Sequence, residues 1–308
     1  MDLLDSMLHE TRARHASIRL SRMDPPWHIR FLDRSPLTVL AMVGGDGWLL
    51  RDDRDPVPLT AGSIAIVRGP EPYAVADAPG TPPRVLVESA DFCTDDLGRD
   101  ISESRFLGPH TWGDHAAAPA ALVTGLYPIR SEVSDWLLDA LPPVLIVPPD
   151  QLESPLMDLV TAEIAADRPG QQVILDRAMD LLLVCTLRAW FDRADSTAPG
   201  WYRALGDPVA GPALRLIHDD PAHPWTVAAL AAAVGVSRAA FARRFGELVG
   251  EPPVSYLTSW RIALAADRLR HTDDTLATIA RRVGYSDGYA LSVAFTRVKG
   301  VRPGEFRG

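Results

Sequence analysis

The side chains best arranged to recognise a partner gather near the C-terminus. There two stretches echo each other, Thr226-Val-Ala-Ala-Leu-Ala-Ala-Ala-Val-Gly-Val-Ser237 and Thr275-Leu-Ala-Thr-Ile-Ala-Arg-Arg-Val-Gly-Tyr-Ser286. Each runs into a segment with helical periodicity. In the first, about Arg238–Val249, Phe241, Phe245 and Leu248 fall inward and leave Arg238, Ala239, Ala242 and Arg243 outside. In the second, about Gly288–Lys299, Leu291 and Phe295 fall inward and leave Gly288, Tyr289, Ser292, Val293 and Thr296 outside. Such faces suit hydrogen bonding rather than bond making. An arginine there can grip the O6 and N7 edge of guanine, worth about 1–3 kcal/mol of discrimination.

The same stretches also encode the helices and turns that hold those faces. Thr226 and Thr275 sit where a side-chain oxygen can cap a helix, and Val227/Leu276, Leu230/Ile279 and Val234/Val283 mark one apolar face. Gly235/Gly284 suits a helix end that wants positive φ, and Ser237 and Ser286 can cap the next helix. The offset is 49 residues up to the serines and 50 afterwards (Phe245/Phe295, Gly250/Gly300, Pro253/Pro303), so the second recognition helix is expected to hold one extra residue near its start. Helix, Gly turn, helix is the frame that sets a helix into a DNA major groove. A plain helical bundle would not need the same Thr, Gly, Ser and Pro to recur.

Charge agrees once the chain is divided. The whole carries a net −9, which alone argues against nucleic acid. Residues 1–200 hold 17 Arg against 30 acids, whereas 201–308 hold 13 Arg and one Lys against 10 acids. The excess in the second part is small, so phosphate attraction must come from clusters: Arg243-Arg244, Arg261, Arg268, Arg270, Arg281-Arg282, Arg297, Lys299 and Arg302.

Residues 207–308 resemble the DNA-binding domain of the AraC family of bacterial transcription regulators. The resemblance is carried by Trp225-Thr226-Val227, Ser237-Arg238-Ala239-Ala240-Phe241, Val283-Gly284-Tyr285-Ser286 and Gly300-Val301-Arg302-Pro303-Gly304-Glu305-Phe306-Arg307. It implies seven helices, two helix-turn-helix units joined by a long helix at about Pro253–Arg270, and two neighbouring major-groove contacts. By motif position, Ala239, Ala242 and Arg243 match base-contacting places, and many relatives carry Arg where this chain has Val293. The residues expected at DNA are Arg238, Ala239, Ala242, Arg243, Arg244, Tyr289, Ser292, Val293, Thr296 and Arg297.

Ahead of the repeat, short strands are expected at 16–22, 28–32, 38–43, 48–51, 63–67, 73–76 and 84–88, broken by Pro-Pro, Gly-rich and Gly-Pro turns, with Gly44-Gly45-Asp46-Gly47 read as a hairpin turn. This pattern predicts a β-sandwich or small barrel. Helices are expected at 131–140, 154–167 and 171–193, and Asp195–Gly200 reads as linker. The fold class is therefore α+β in two domains: a cupin-like β-barrel with appended helices over 1–194, a linker over 195–206, and an all-α double helix-turn-helix over 207–308. The first half resembles the cupin-type sensor domain of one branch of AraC-family regulators, through Pro26-Trp27, Gly47-Trp48-Leu49-Leu50, the run from Leu59 to Gly69, Leu141-Pro142-Pro143 and Arg168-Pro169-Gly170. That resemblance implies a small-molecule effector. Trp27, His28, Arg30, Trp48, Tyr73, Trp112 and Tyr127 are the pocket candidates.

Enzymatic readings find little support. Metal cupins need a His-x-His and a later His, and Trp48-Leu49-Leu50 and Tyr73 stand at those places. No cofactor is expected. His110, His115 and Cys93 form a looser set that leaves a metal-ion sensor as one alternative; a DNA-targeted enzyme of the cysteine alkyl-transfer type is another, although neither Cys93 nor Cys185 has evident activating neighbours. No 18-residue apolar stretch suits a membrane span, and no signal peptide is expected. The expectation is a cytoplasmic, non-enzymatic regulator, activator or repressor, with promoter DNA, an effector and RNA polymerase as partners, and with self-association through the helices at 131–193.

Overall fold

The computed structural model describes residues 17–127, 132–152, 155–166, 168–193 and 198–307. The first residue of the strand expected at 16–22, the outer residues of the helices expected at 131–140 and 154–167, and linker residues 195–197 lie outside them. The described residues form two compact units, one from 17–127 with 141–193 and one from 132–140 with 198–307.

The first unit is sheet-rich. Its strands are β1 (Ser17–Met23), β2 (His28–Phe31), β3 (Leu37–Gly44), β4 (Gly47–Arg51), β5 (Arg54–Leu59), β6 (Ile64–Arg68), β7 (Tyr73–Ala76), β8 (Val85–Ser89), β9 (Phe92–Thr94), β10 (Phe106–Gly108), β11 (Thr111–Gly113), β12 (Ala120–Tyr127) and β13 (Val144–Val147). They pair into a seven-stranded sheet, β10-β11-β1-β12-β3-β6-β13, and a six-stranded sheet, β5-β4-β7-β2-β8-β9. Of the expected β-sandwich or small barrel, the two-sheet form stands, with no closed barrel among the described residues. One reason is visible at the edge strand β5, where Pro56 and Pro58 remove ladder donors and five of six residues are exposed. Gly44–Gly47 is not a hairpin turn either, because β3 and β4 lie in different sheets. It is a crossing, and a Cβ on Gly47 would stand 3.0 Å from the Trp27 ring.

The core lies between the sheets. Met23, Leu40, Met42, Ala65 and Leu122 come from one sheet; Ile29, Phe31, Leu49, Val75 and Val85 come from the other. Strand alternation then fixes which residues face outward. The stretch 89–118 holds the short strands β9, β10 and β11. Helices α1 (Glu132–Ala140), α2 (Leu156–Ala166) and α3 (Gln171–Phe191) follow β12, with β13 between α1 and α2. Met179 of α3 lies over Gly125 of β12, where any Cβ would meet its methyl group.

The helical unit contains α1 and then α4 (Gly200–Leu205), α5 (Ala210–Asp219), α6 (Val227–Ala233), α7 (Arg238–Val249), α8 (Pro253–His271), α9 (Leu276–Arg282), α10 (Gly288–Lys299) and α11 (Pro303–Arg307). The stretch expected as linker, 195–206, thus contains a helix, and a Cβ on Gly200 would meet the Leu248 carbonyl. Residues 207–307 hold the seven helices the resemblance implied. Burying Tyr256, Leu257 and Trp260 in its first half, α8 packs Ile262, Ala265, Ala266 and Leu269 against Ile279, Leu291 and Phe295 in its second. Losing one such buried aromatic typically costs about 3–5 kcal/mol.

Candidate DNA-binding surface and sensor cavity

Each helix pair is built by the same local chemistry. Thr226 accepts a hydrogen bond from the Ala229 amide at 3.0 Å, and Thr275 accepts one from the Thr278 amide at 3.2 Å. Gly235 (φ 73°) and Gly284 (φ 85°) then reverse the chain in the left-handed region. The Val236 amide donates to the Ala231 carbonyl at 3.0 Å, and the Tyr285 amide to Ala280 at 2.8 Å. At the start of α7 Ser237 accepts from the Ala240 amide at 3.2 Å. The second unit departs from expectation here. Asp287, not Ser286, caps α10, accepting from the Ala290 amide at 2.8 Å, while the Ser286 hydroxyl donates to the Asp287 carboxylate. The extra residue therefore sits in the turn ahead of α10 and not inside the helix; α7 and α10 both have 12 residues.

These caps leave one face of each helix free of packing. On α7, Phe241 and Phe245 are buried, while Arg238, Ala239 and Arg243 are exposed and Ala242 is half-buried. Among the described residues Arg243 makes only a long contact to Glu247, at 3.9 Å. On α10, Leu291, Ala294 and Phe295 are buried; Tyr289 is 81% and Val293 54% exposed, with Ser292 and Thr296 half-buried and Arg297 exposed. Val293 occupies the place of Arg243 at the 50-residue offset.

The arginines sort into two groups. Arg244 is turned away from the expected role: its guanidinium donates twice to Asp207, the closer contact at 2.6 Å, and that partner pulls the Asp207 carboxyl down to about 2. Asp207 also accepts from the Val209 and Ala210 amides at the head of α5. Arg261 donates to the Pro221 and His223 carbonyls at 2.7 and 2.8 Å and is internal. Arg268 and Arg282 both approach Asp274 at 3.5 Å, and Arg270 lies over the Phe306 ring. Arg238, Arg281 and Arg297 carry no ion pair among the described residues, so they remain available to phosphate.

The sheet-rich unit contains a cavity of about 320 Å³ between its sheets, walled by β1, β11 and β12 on one side and by β2, β8 and β9 on the other. Of the seven pocket candidates, only Trp112 lines it. Strand parity turns His28, Arg30, Trp48 and Tyr127 away from it, whereas Trp27 and Tyr73 pack into the core. Ile29 and Phe31 of β2 face the cavity, so His28 and Arg30 face outward, where His28 Nδ1 meets the Thr81 carbonyl at 2.7 Å and Arg30 pairs with Asp52 at 2.7 Å. Trp48, register partner of Ala76 beside His28, shares that outer face. Trp27 and Tyr73 are core residues, with Tyr73 stacked on Phe31 at 4.7 Å. Tyr127 is buried on the opposite face of β12 from Thr124.

Residues missed from sequence complete the wall. Ser17, Arg19 and Ser21 project inward from β1, and Thr124 and Leu126 from β12. The residues considered for a metal do not converge: His110 Nδ1 meets the Ile18 carbonyl at 2.9 Å, His115 pairs with Asp24 at 2.7 Å, and Cys93 lines the cavity. Among the described residues no group of three His, Cys, Asp or Glu side chains is placed to hold a metal ion. Burial pushes the Cys93 thiol up to about 11, opposed by Arg19, the reverse of the activation an alkyl-accepting cysteine needs.

A tandem helix-turn-helix unit joined to a sheet-rich, cavity-bearing unit defines the class of protein. Residues 2–192 match the cupin family model and residues 230–308 a helix-turn-helix domain model. The chain belongs to the AraC-like transcription regulators with a cupin N-terminal domain. It is 40% identical over 190 residues to an AraC-like transcription regulator of Streptomyces antibioticus (60% of this chain, 63% of that one) and 42% identical over 190 residues to one of Streptomyces lividans (60% and 62%). The match spans a little under two thirds of those relatives' length. Among solved structures, the DNA-binding domain of AdpA, a global transcriptional factor in complex with a target DNA, is 30% identical, covering 33% of this chain and 91% of that one with a TM-score of 0.32. No described helix is long and apolar enough to cross a membrane.

Proposed function

We propose that this protein is a sequence-specific transcription regulator that answers a small molecule. Residues 207–308 engage promoter DNA through α7 and α10, and the sandwich cavity within 1–194 holds the effector. The duplicated cap-and-turn geometry carries the reading, because it frees two helix faces of packing and arms the first with Arg243. Effector binding shifts a pre-existing equilibrium between DNA-competent states. The output is activation through RNA polymerase, in the cytoplasm, without catalysis of its own. Leu159 of α2 and Val173, Ile174 and Leu181 of α3 are exposed apolar residues, and they support self-association through these helices. The test is genome-wide footprinting of the tagged protein, followed by titration of the full chain onto recovered sites. Affinity no higher than for random duplex of equal length and salt overturns the reading.

A further inference from the structure

We infer that the cavity takes an uncharged, largely apolar molecule bearing a hydrogen-bond acceptor, such as an aromatic ketone; this rests on the sensor reading above. The first observation is the polarity of β1. Its inward residues Ser17, Arg19 and Ser21 are polar, while Ile18 and Leu20 on its other face are buried. This stretch of the inner row lines a chamber, while Met23, next on the same face, packs into the core. The second observation is a pair of orphaned groups. Trp112 and Thr124 both line the cavity, 6% and 4% exposed, and the buried Trp112 Nε1 and Thr124 hydroxyl have no hydrogen-bond partner among the described residues. Ser21 is the register partner of Trp112, and Arg19 of Thr124, so both donors stand on one inner wall. Unmade hydrogen bonds of buried groups are costly, and a ligand acceptor that reaches either donor recovers part of that cost.

Charge selects against ions. Arg19 is already held by the Asp91 carboxylate and the Ala90 carbonyl, and Glu103 adds a further negative charge to the lining. An anion finds its cation neutralised and acids beside it; a cation must approach the Arg19 guanidinium. Opposite the donors, Ile29, Phe31 and Val87 supply an apolar wall. The volume lies at the lower end of the about 300–1,000 Å³ common for small-ligand sites, and a two-ring molecule suits it.

The test titrates the full-length protein with prodan, a neutral naphthalene ketone whose emission shifts to the blue when its carbonyl leaves water. Binding is expected, with Trp112→Phe and Thr124→Val each weakening it by about 5- to 10-fold, the usual worth of one hydrogen bond. Displacement by 2-ethylnaphthalene, which lacks the acceptor, is expected to be insensitive to both substitutions. Near-ultraviolet circular dichroism checks that each variant is folded. Absence of binding, unchanged prodan affinity in both variants, or stronger displacement by 2-naphthoate than by 2-acetylnaphthalene overturns the ligand class. The sensor reading is judged separately, by Ser21→Phe in a reporter strain: an altered output supports it whatever prodan does, and an unaltered output sinks it even where prodan binds as expected.

Discussion

Trp136 of α1 meets Trp260 of α8 edge-on, ring centres 5.6 Å apart at 66°, and meets Tyr256 in the same manner at 5.4 Å and 73°. In the chain α1 falls between β12 and β13, two strands of the seven-stranded sheet, yet it belongs to the compact unit of α4–α11. The two ring contacts contribute about 0.5–1.5 kcal/mol each, enough to hold the helix without locking it. Leu137 and Leu138 are buried beside them. Trp136→Ala should leave effector-free DNA affinity within about threefold of wild type and collapse the ligand-dependent change, typically about 5- to 150-fold in coupled systems, towards none. DNA titrations with and without ligand measure both; a preserved ligand response removes α1 from the coupling.

Arg243 and Arg281 should separate base reading from phosphate grip. Arg243→Ala is expected to cost about 1–3 kcal/mol on the cognate site and far less on random duplex. Arg281→Ala should weaken both alike and lower the salt slope by about one. The matched substitution Val293→Arg places a guanidinium at the equivalent point of α10. It should steepen the salt dependence and change base preference in one half of the site, as selection from randomised duplexes would reveal.

Arg244 should behave as a structural residue. Arg244→Ala and Asp207→Ala are each expected to lower the unfolding midpoint of the helical unit, and the double variant should fall short of the sum, because both remove the same bidentate contact. Sequence preference at saturating DNA should not move. A changed preference would return Arg244 to the reading face.

His218 makes a pH prediction. Its Nε2 lies 2.8 Å from the Tyr256 hydroxyl, and burial pulls its pKa from the ordinary 6.5 down to about 3, opposed weakly by Asp219. The unfolded chain therefore takes up a proton that the folded chain refuses. Stability from this group is fully present above pH 6.5 and declines as pH falls towards 3, by about 1.4 kcal/mol per pH unit. In His218→Gln that slope should flatten by one proton, seen as a smaller fall of the urea midpoint between pH 6 and pH 5 in far-ultraviolet dichroism.

The orphaned hydroxyl of Thr124 predicts a trade between stability and binding. Thr124→Val should raise the stability of the ligand-free protein by about 1–2 kcal/mol, because an unsatisfied buried group is replaced by a methyl of the same shape. Thermal unfolding without ligand tests this. A destabilised variant would mean the hydroxyl already has a partner.

The helical half was readable because its signals are local. Thr226, Gly235 and Ser237 act within a few residues of themselves, and their echoes set the element order. The reading of the caps slipped at Ser286: the echo pointed to it, whereas the neighbouring carboxylate of Asp287 accepts the amide. The sheet-rich half resisted for a different reason. His28 and Arg30 looked like pocket residues by type, but Ile29 and Phe31 between them take the inward positions. On β1 the assignment is reversed, with polar Arg19 inward and apolar Leu20 outward. Both faces of these strands are largely buried, so alternation alone does not tell the inner from the outer. Three-residue strands such as β10 and β11 carry no periodicity to read.

The acidic cap of α10 has a consequence for how the protein holds a polyanion. A helix amino terminus attracts phosphate through its unpaired amides and its dipole. Asp287 spends that attraction internally, and its fixed negative charge repels an approaching backbone oxygen; neutral Ser237 leaves the head of α7 welcoming. The two halves of the tandem are therefore expected to be unequal hands, with α10 releasing before α7 as ionic strength climbs.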